Sequence, residues 1–296
     1  VPALVLLVGM CFVPETPRWL LSKGRLKECR KVLQKIEPEN TVNDLIGQME
    51  VEIEKDRNSA VGWRYLMQPW LRTPLMIAVC IMFFQQFVGI NTVIYYSPKI
   101  FLMAGFESTL SAIWASVGIG IVNVVFTVIS LYLVDRIGRR KLYFIGLSGI
   151  AFSVLCLSAC FIYANQLGEI GRWLMVIFMF GYVAFFAISI GPLGWLVISE
   201  IFPQKVRGLG TSIGSLAVWI FNCIVSFTFF KIIDFFSIPG TEIVVGQTTS
   251  ENPAGAFFLY GFIAVLGLVW GYLFLPETKG LSLEEIEQKW RKNREC

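Results

Sequence analysis

Apolar residues along the chain fall into long runs separated by polar segments. The runs cover roughly residues 75–98, 111–134, 142–163, 173–198, 208–233 and 257–275, each about 20 residues or more. That is the length an α-helix needs to cross about 30 Å of hydrocarbon at 1.5 Å per residue. The pattern predicts six membrane-spanning helices. A shorter apolar stretch, residues 1–13, is too short to span and reads as the end of a span that begins upstream. Between it and the first full run, residues 14–74 are polar. They contain a basic amphipathic stretch at 26–36. A second stretch places Val42, Leu45, Ile46, Met49 and Ile53 on one helical face behind a Thr41-x-x-Asp44 capping pattern. Both predict short helices on the membrane surface, and Ser282-x-x-Glu285 predicts a similar tail helix ending near Trp290.

Composition agrees with the runs and removes whole classes of function. The 296 residues are 55% hydrophobic, 15% aromatic and only 16% charged, with a mean hydropathy of +0.66, outside the balance of a soluble domain. There is no histidine, so the usual catalytic base, metal ligand and near-neutral proton switch are missing together. No glycine loop of the nucleotide-cradling kind occurs, and no pair of carboxylates lies inside an apolar run. An enzyme is not expected, and neither is a cofactor or a metal. A continuous pore would show rings of charge or a carbonyl filter, which nothing here repeats. No basic stretch is interleaved with exposed aromatics, so nucleic acid is not an expected partner. The seven cysteines (Cys11, Cys29, Cys80, Cys156, Cys160, Cys223 and Cys296) lack metal-type spacing and read as small buried hydrophobes.

Charge placement gives an orientation. Of the 25 Lys and Arg residues, 22 fall in residues 14–74, 135–141, 199–207 and 276–296, leaving Lys99, Arg172 and Lys231 for the opposite side. By the positive-inside rule the long polar segment and the tail are cytoplasmic. The expected protein is therefore multi-pass in a cell membrane, with its carboxy terminus inside.

Short motifs sit at the span ends. They are "PETPRWLLSKGR" at 14–25, "DRIGRR" at 135–140, "SEIFPQKVRG" at 199–208 and "PETKG" at 276–280; within the runs lie "QQFVGINTVIYYS" at 85–97 and "GPLGW" at 191–195. In order and spacing this set resembles the sugar porter family of the major facilitator superfamily, over nearly the whole chain but only the second half of a twelve-span fold. The resemblance implies an all-α membrane protein: a carboxy-terminal six-helix bundle with added intracellular helices. The segments are then the end of a sixth span (1–13), a cytoplasmic helical linker (14–74), the six-helix domain (75–275) and a cytoplasmic tail (276–296).

Taken by themselves, the charged motifs read two ways. Gly138 permits a tight turn, and Arg136, Arg139, Arg140 and Lys141 anchor it at the inner surface. Yet Asp135, Glu200 and Arg207 also lie at cytoplasmic span ends, with Glu15 and Arg18 where the polar segment leaves the membrane, so complementary charges share one level. The family resemblance makes Glu15, Arg18, Asp135, Arg139, Arg140, Glu200 and Arg207 an inner latch that forms in one state and breaks in another.

Polar side chains inside spans are costly and face a bundle interior or a watery cavity. Here they are Gln85, Gln86, Asn91 and Asn123. Gly89 loosens the helix before Asn91, and Gly191-Pro192 interrupts the helix before Trp195. Amides suit a polyol because each both donates and accepts, and an aromatic face suits a sugar ring. The residue-level alternative for each amide is a hydrogen bond between helices. The resemblance assigns Gln85, Gln86, Asn91, Asn123 and Trp195 to a sugar site with Trp219 at its edge, and makes Tyr95 and Tyr96, with Pro192, gating residues. Ala187 stands where animal glucose facilitators carry Glu, and Val218 where many members have Asn or Gln. Asn222, one turn beyond Trp219, offers a substitute for that amide, though packing between helices is the simpler reading.

The function implied is monosaccharide transport, hexose or pentose, by alternating access. The partners would be the sugar, a proton, the bilayer and the missing amino-terminal half. Ala187 is shared with bacterial symporters, which favours sugar:proton symport over facilitation. A non-transporting sugar sensor would keep the same fold.

Overall fold

The computed structural model describes residues 8–10, 12–58, 63–106, 108–203, 206–237, 243–245, 248–280 and 290. Most of the expected short span at 1–13 and the tail helix expected from Ser282 fall outside these. The chain divides into two compact units, residues 1–62 and 63–296.

Among its described residues the first unit includes the helices α1 (Pro17–Ser22), α2 (Leu26–Leu33) and α3 (Glu39–Asn58). Thr16 caps α1 by accepting from the Trp19 amide, with Pro17 in the first turn, where its missing N–H costs nothing. Gly24, at φ +74°, ends α1 in the left-handed conformation; its N–H bonds the Leu21 carbonyl and the Arg25 N–H that of Leu20. Leu20, Leu21, Cys29, Leu33, Val42 and Ile46 form the core, with Met49 and Ile53 packed against it. The amphipathic face read on α3 is thus the buried one. Its predicted start is corrected: α3 begins at Glu39, and the Thr41 hydroxyl donates to the Pro38 carbonyl instead of capping from outside.

The second unit opens with the short α4 (Trp63–Leu66) and a single 3₁₀ turn, Pro69–Leu71. Among its described residues, six stretches are long and apolar enough to cross a membrane: Pro69–Met103, Thr109–Ile137, Arg139–Ile162, Ala164–Ile201, Arg207–Phe235 and Ala254–Phe274. The first is two helices, α5 (Arg72–Phe87) and α6 (Ile90–Met103). They part at Gly89, whose φ of +86° only glycine adopts without strain and where any Cβ would overlap the Tyr260 ring. The next two are α7 (Thr109–Ile137) and α8 (Arg139–Ile162), separated by Gly138 alone. The fourth comprises α9 (Ala164–Ile188), kinked at Gly168, and α10 (Ile190–Ile201). The interruption expected at Gly191-Pro192 is corrected to Ser189 (φ −127°, ψ −103°); Pro192 then falls in the first turn of α10, where no N–H is needed. The last two are α11 (Arg207–Phe235) and α12 (Ala254–Phe274).

Between α11 and α12 lies an element that apolar patterning did not predict, a small antiparallel hairpin of β1 (Ile243–Val245) and β2 (Thr248–Ser250), with Val244 opposite Thr249. Within the bundle α8 is central, packing on both α9 and α12, while α5 packs on α11. Close approach is set by small residues. Gly261, Gly267 and Gly271 on α12 receive Leu155, Leu147 and Tyr143 of α8, and the Tyr143 hydroxyl donates to the Gly267 carbonyl at 3.0 Å. Cysteine burial is uneven, however: Cys29 and Cys160 are buried, Cys80 and Cys156 half-buried, and Cys223 is exposed on the bundle surface.

Candidate functional site

Both helix breaks border one cavity of about 270 Å³, lined by Gln85, Gln86, Ile90, Asn91, Asn123, Thr127, Phe186, Ala187, Gly191, Pro192 and Trp195. The amides along it form a chain. Asn91 Nδ2 donates to Gln86 Oε1 at 2.6 Å and to Asn222 Oδ1 at 3.0 Å, and Gln86 Nε2 donates to Gln85 Oε1 at 3.4 Å. Ser226 donates to Asn222 Oδ1 at 3.2 Å, and Asn222 Nδ2 reaches the Tyr95 hydroxyl at 3.5 Å. Asn91, one residue past the start of α6, therefore ties α5 to α11 through amide groups. Asn123 is held by Thr127, whose hydroxyl donates to its Oδ1 at 3.3 Å, leaving the Asn123 N–H groups available to the cavity.

The structure brings Gln85, Gln86, Asn91, Asn123, Pro192 and Trp195 to one place. Trp195 is 45% exposed there, a ring face with room for a ligand. Trp219 is 66% exposed and is not part of the lining. Tyr95 and Tyr96 continue along α6. Tyr95 is exposed, whereas the Tyr96 ring stacks on Phe229 at 5.5 Å and meets Phe230 edge-on at 4.8 Å. Lys99, one turn on, sits over the Phe230 ring at 4.1 Å. Two participants were not picked out from the sequence. Thr127 lies one turn from Asn123 on the same face, a signal available from spacing, while Asn222, read as packing ahead of a substitute amide, extends the amide chain.

A second polar centre lies at the Gly138 turn. Arg139 Nη2 meets Glu200 Oε1 at 2.8 Å, both side chains largely covered at 13% and 21% exposure. Asp135, 3.5 Å from Arg139, is 76% exposed and adds little. The Thr278 hydroxyl donates to Glu200 Oε2 at 2.6 Å. Glu277 accepts from the backbone N–H groups of Arg139 and Arg140, each at 3.1 Å, and from those of Thr278 and Lys279. Burial alone would push the Glu277 carboxyl up, but these four N–H groups outweigh it and hold it below the ordinary glutamate value. Arg140 turns away to the Tyr272 carbonyl at 2.7 Å. Arg207 does not join the cluster: its buried Nε and Nη2 have no hydrogen-bond partner among the described residues. Glu15 and Arg18 belong to the first unit.

Broken spans bordering an amide-lined cavity are the architecture that secondary transporters use. Comparison with known proteins supplies the family. The family model "Sugar (and other) transporter" matches residues 1–290, and the chain belongs to that family. It is 36% identical over 291 residues to the glucose transporter GlcP of Staphylococcus epidermidis, covering 98% of this chain and 60% of the relative. To the D-xylose-proton symporter of Escherichia coli it is 34% identical over 290 residues, covering 98% and 55%. Among solved structures, the proton:xylose symporter XylE bound to 6-bromo-6-deoxy-D-glucose matches with a TM-score of 0.72 at 34% identity, covering 98% of this chain and 57% of the other. The inward-open xylose transporter XylE from E. coli matches with a TM-score of 0.73 at 30% identity, covering 98% and 55%. The chain thus spans a little over half the length of these relatives.

Proposed function

We propose that this chain forms one wall of a monosaccharide transporter that works by alternating access as a sugar:proton symporter, the other wall being supplied by an amino-terminal half. The observation that carries the reading is the cavity where Gln86, Asn91 and Asn123 converge with Trp195. Uncharged groups that donate and accept suit hydroxyls in either direction, and the indole face suits the apolar face of a sugar ring. Gln85 lines the same cavity, Trp219 lies outside its lining and would meet the sugar only as the resemblance implies, and Tyr95, Tyr96 and Pro192 sit on the segments that would open and close it. Residues 1–13 would complete a span, 14–74 would be the cytoplasmic linker and 276–296 a cytoplasmic tail.

The orientation follows from 22 of 25 basic residues lying on one side. On that side the Arg139–Glu200 pair, backed by Thr278 and Glu277, is a latch with Asp135 beside it, while Arg140 and Arg207 stand outside the pair in this structure. Asp135, Glu169, Glu200 and Asp234 all lie near span ends, so the proton-binding group belongs to the amino-terminal half. Labelled xylose or glucose uptake by the full transporter, with and without an inward proton gradient, tests the reading. Gradient-driven accumulation supports symport, while equal equilibration in both conditions would establish facilitation instead.

A further inference from the structure

Each broken span is fastened by a side chain from the other. Gln85, on α5, reaches the start of α10, where its Nε2 donates to the Ile190 carbonyl at 3.1 Å and the Gly191 carbonyl at 2.7 Å. Both amide hydrogens are thereby used. Gly194 makes the slot for this amide, since a Cβ there would lie 3.0 Å from Gln85 Nε2. Tyr182, on α9, returns the contact: its hydroxyl donates to the Val88 carbonyl at 2.7 Å. That carbonyl is freed by the break, because the Thr92 N–H that a continuous helix would direct to Val88 goes to Gly89. Gln85 is 2% exposed and Tyr182 fully buried, so neither bond competes with water, and a carbonyl left alone at this depth would be costly.

Resting on the reading of this chain as part of an alternating-access transporter, we propose that Gln85 and Tyr182 are positioning residues that cross-brace the two broken spans, making the two breaks one mechanical unit. The first and fourth spans run antiparallel, so α6 and α10 lie towards opposite faces of the membrane. With α5 and α9 pinned to each other's breaks, a change at one break alters the support of the other. The segments that would open the cavity to either side then move in concert.

The test needs neither sugar nor transport, so it stands or falls separately from the functional reading. Amide hydrogen exchange is measured on this chain in lipid nanodiscs at residues 89–93 and 190–195, for the parent, Tyr182→Phe, Gln85→Met and the double variant. Tyr182→Phe keeps the ring and removes one donor. It should accelerate exchange about tenfold, equivalent to about 1.4 kcal/mol, at 89–93 and also at 190–195, which Tyr182 does not bond. Gln85→Met should do the same in reverse, and the double variant should exchange no faster than the more affected single one. Acceleration confined to the break that lost its own bond, or additive acceleration in the double variant, would overturn the proposal. Should Gln85→Met fail to fold, exchange at 190–195 in Tyr182→Phe decides alone.

Discussion

Replacing Glu277 with Gln tests how the Gly138 turn is held. The first N–H groups of any helix lack intrahelical partners, and at α8 those of Arg139 and Arg140 are met by one carboxylate from the segment just after α12. The variant keeps the size but removes the charge, and its amide turns one NH₂ group towards a ring of donors. With hydrogen bonds to a charged group contributing about 1.5–3 kcal/mol, and partial exposure discounting that, the loss amounts to about 2 kcal/mol. This equals roughly 30-fold in the local opening equilibrium. Amide exchange at residues 139–143 should accelerate by that factor, while α11 stays as before. Because the folded carboxyl titrates below the ordinary value of 4.5, its contribution is complete above that value and lost as the pH falls through the folded pKa. The variant and the parent should therefore converge in acid. Unchanged protection at 139–143 near neutral pH would refute the reasoning.

The other predictions concern the cavity, the latch and the orientation. In the full transporter Gln86→Ala should weaken sugar binding by about 1–3 kcal/mol, since it removes an amide from the cavity and one of the two acceptors of Asn91; unchanged binding and uptake with normal expression would make Gln86 a packing residue. Arg139→Ala or Glu200→Ala should raise accessibility of a cavity cysteine from the cytoplasmic side, because the pair biases only an equilibrium it contacts differently in the two states. Unaltered accessibility with poor insertion would leave the pair an anchor. Single cysteines at Gln166 and Gln247, in a background without native cysteines, should label with an impermeant maleimide in intact cells. Those at Asn40 and Lys279 should label only after permeabilisation, and the reverse pattern would invert the orientation.

The spans were legible because an unbroken apolar run of about 20 residues crosses hydrocarbon as a helix, and the break at Gly89 because a glycine inside an apolar run needs a reason. The second break was placed two residues late. Gly191 and Pro192 are its visible markers, but the backbone departs from helix at Ser189 and the proline belongs to the restarted turn. Asn222 was underread because a lone amide on a helix gives no hint of Asn91, 131 residues away. The pairing of Glu277 with the start of α8, 138 residues distant, is equally invisible without the fold. The cap expected at Thr41 failed for a local reason: Pro38 starts the helix earlier, and the threonine hydroxyl bonds back to it.

Counterflow of labelled xylose and glucose into proteoliposomes tests the central proposal most directly, comparing this chain alone with the chain reconstituted together with its amino-terminal half. One wall leaves a bound sugar largely in water and presents its amides to lipid, which is unfavourable. The predicted result is no saturable flux from the chain alone, and saturable, stereospecific flux once both halves are present, strongly reduced by Gln86→Ala. Saturable flux through residues 1–296 alone, or no flux with both halves correctly inserted, would contradict it.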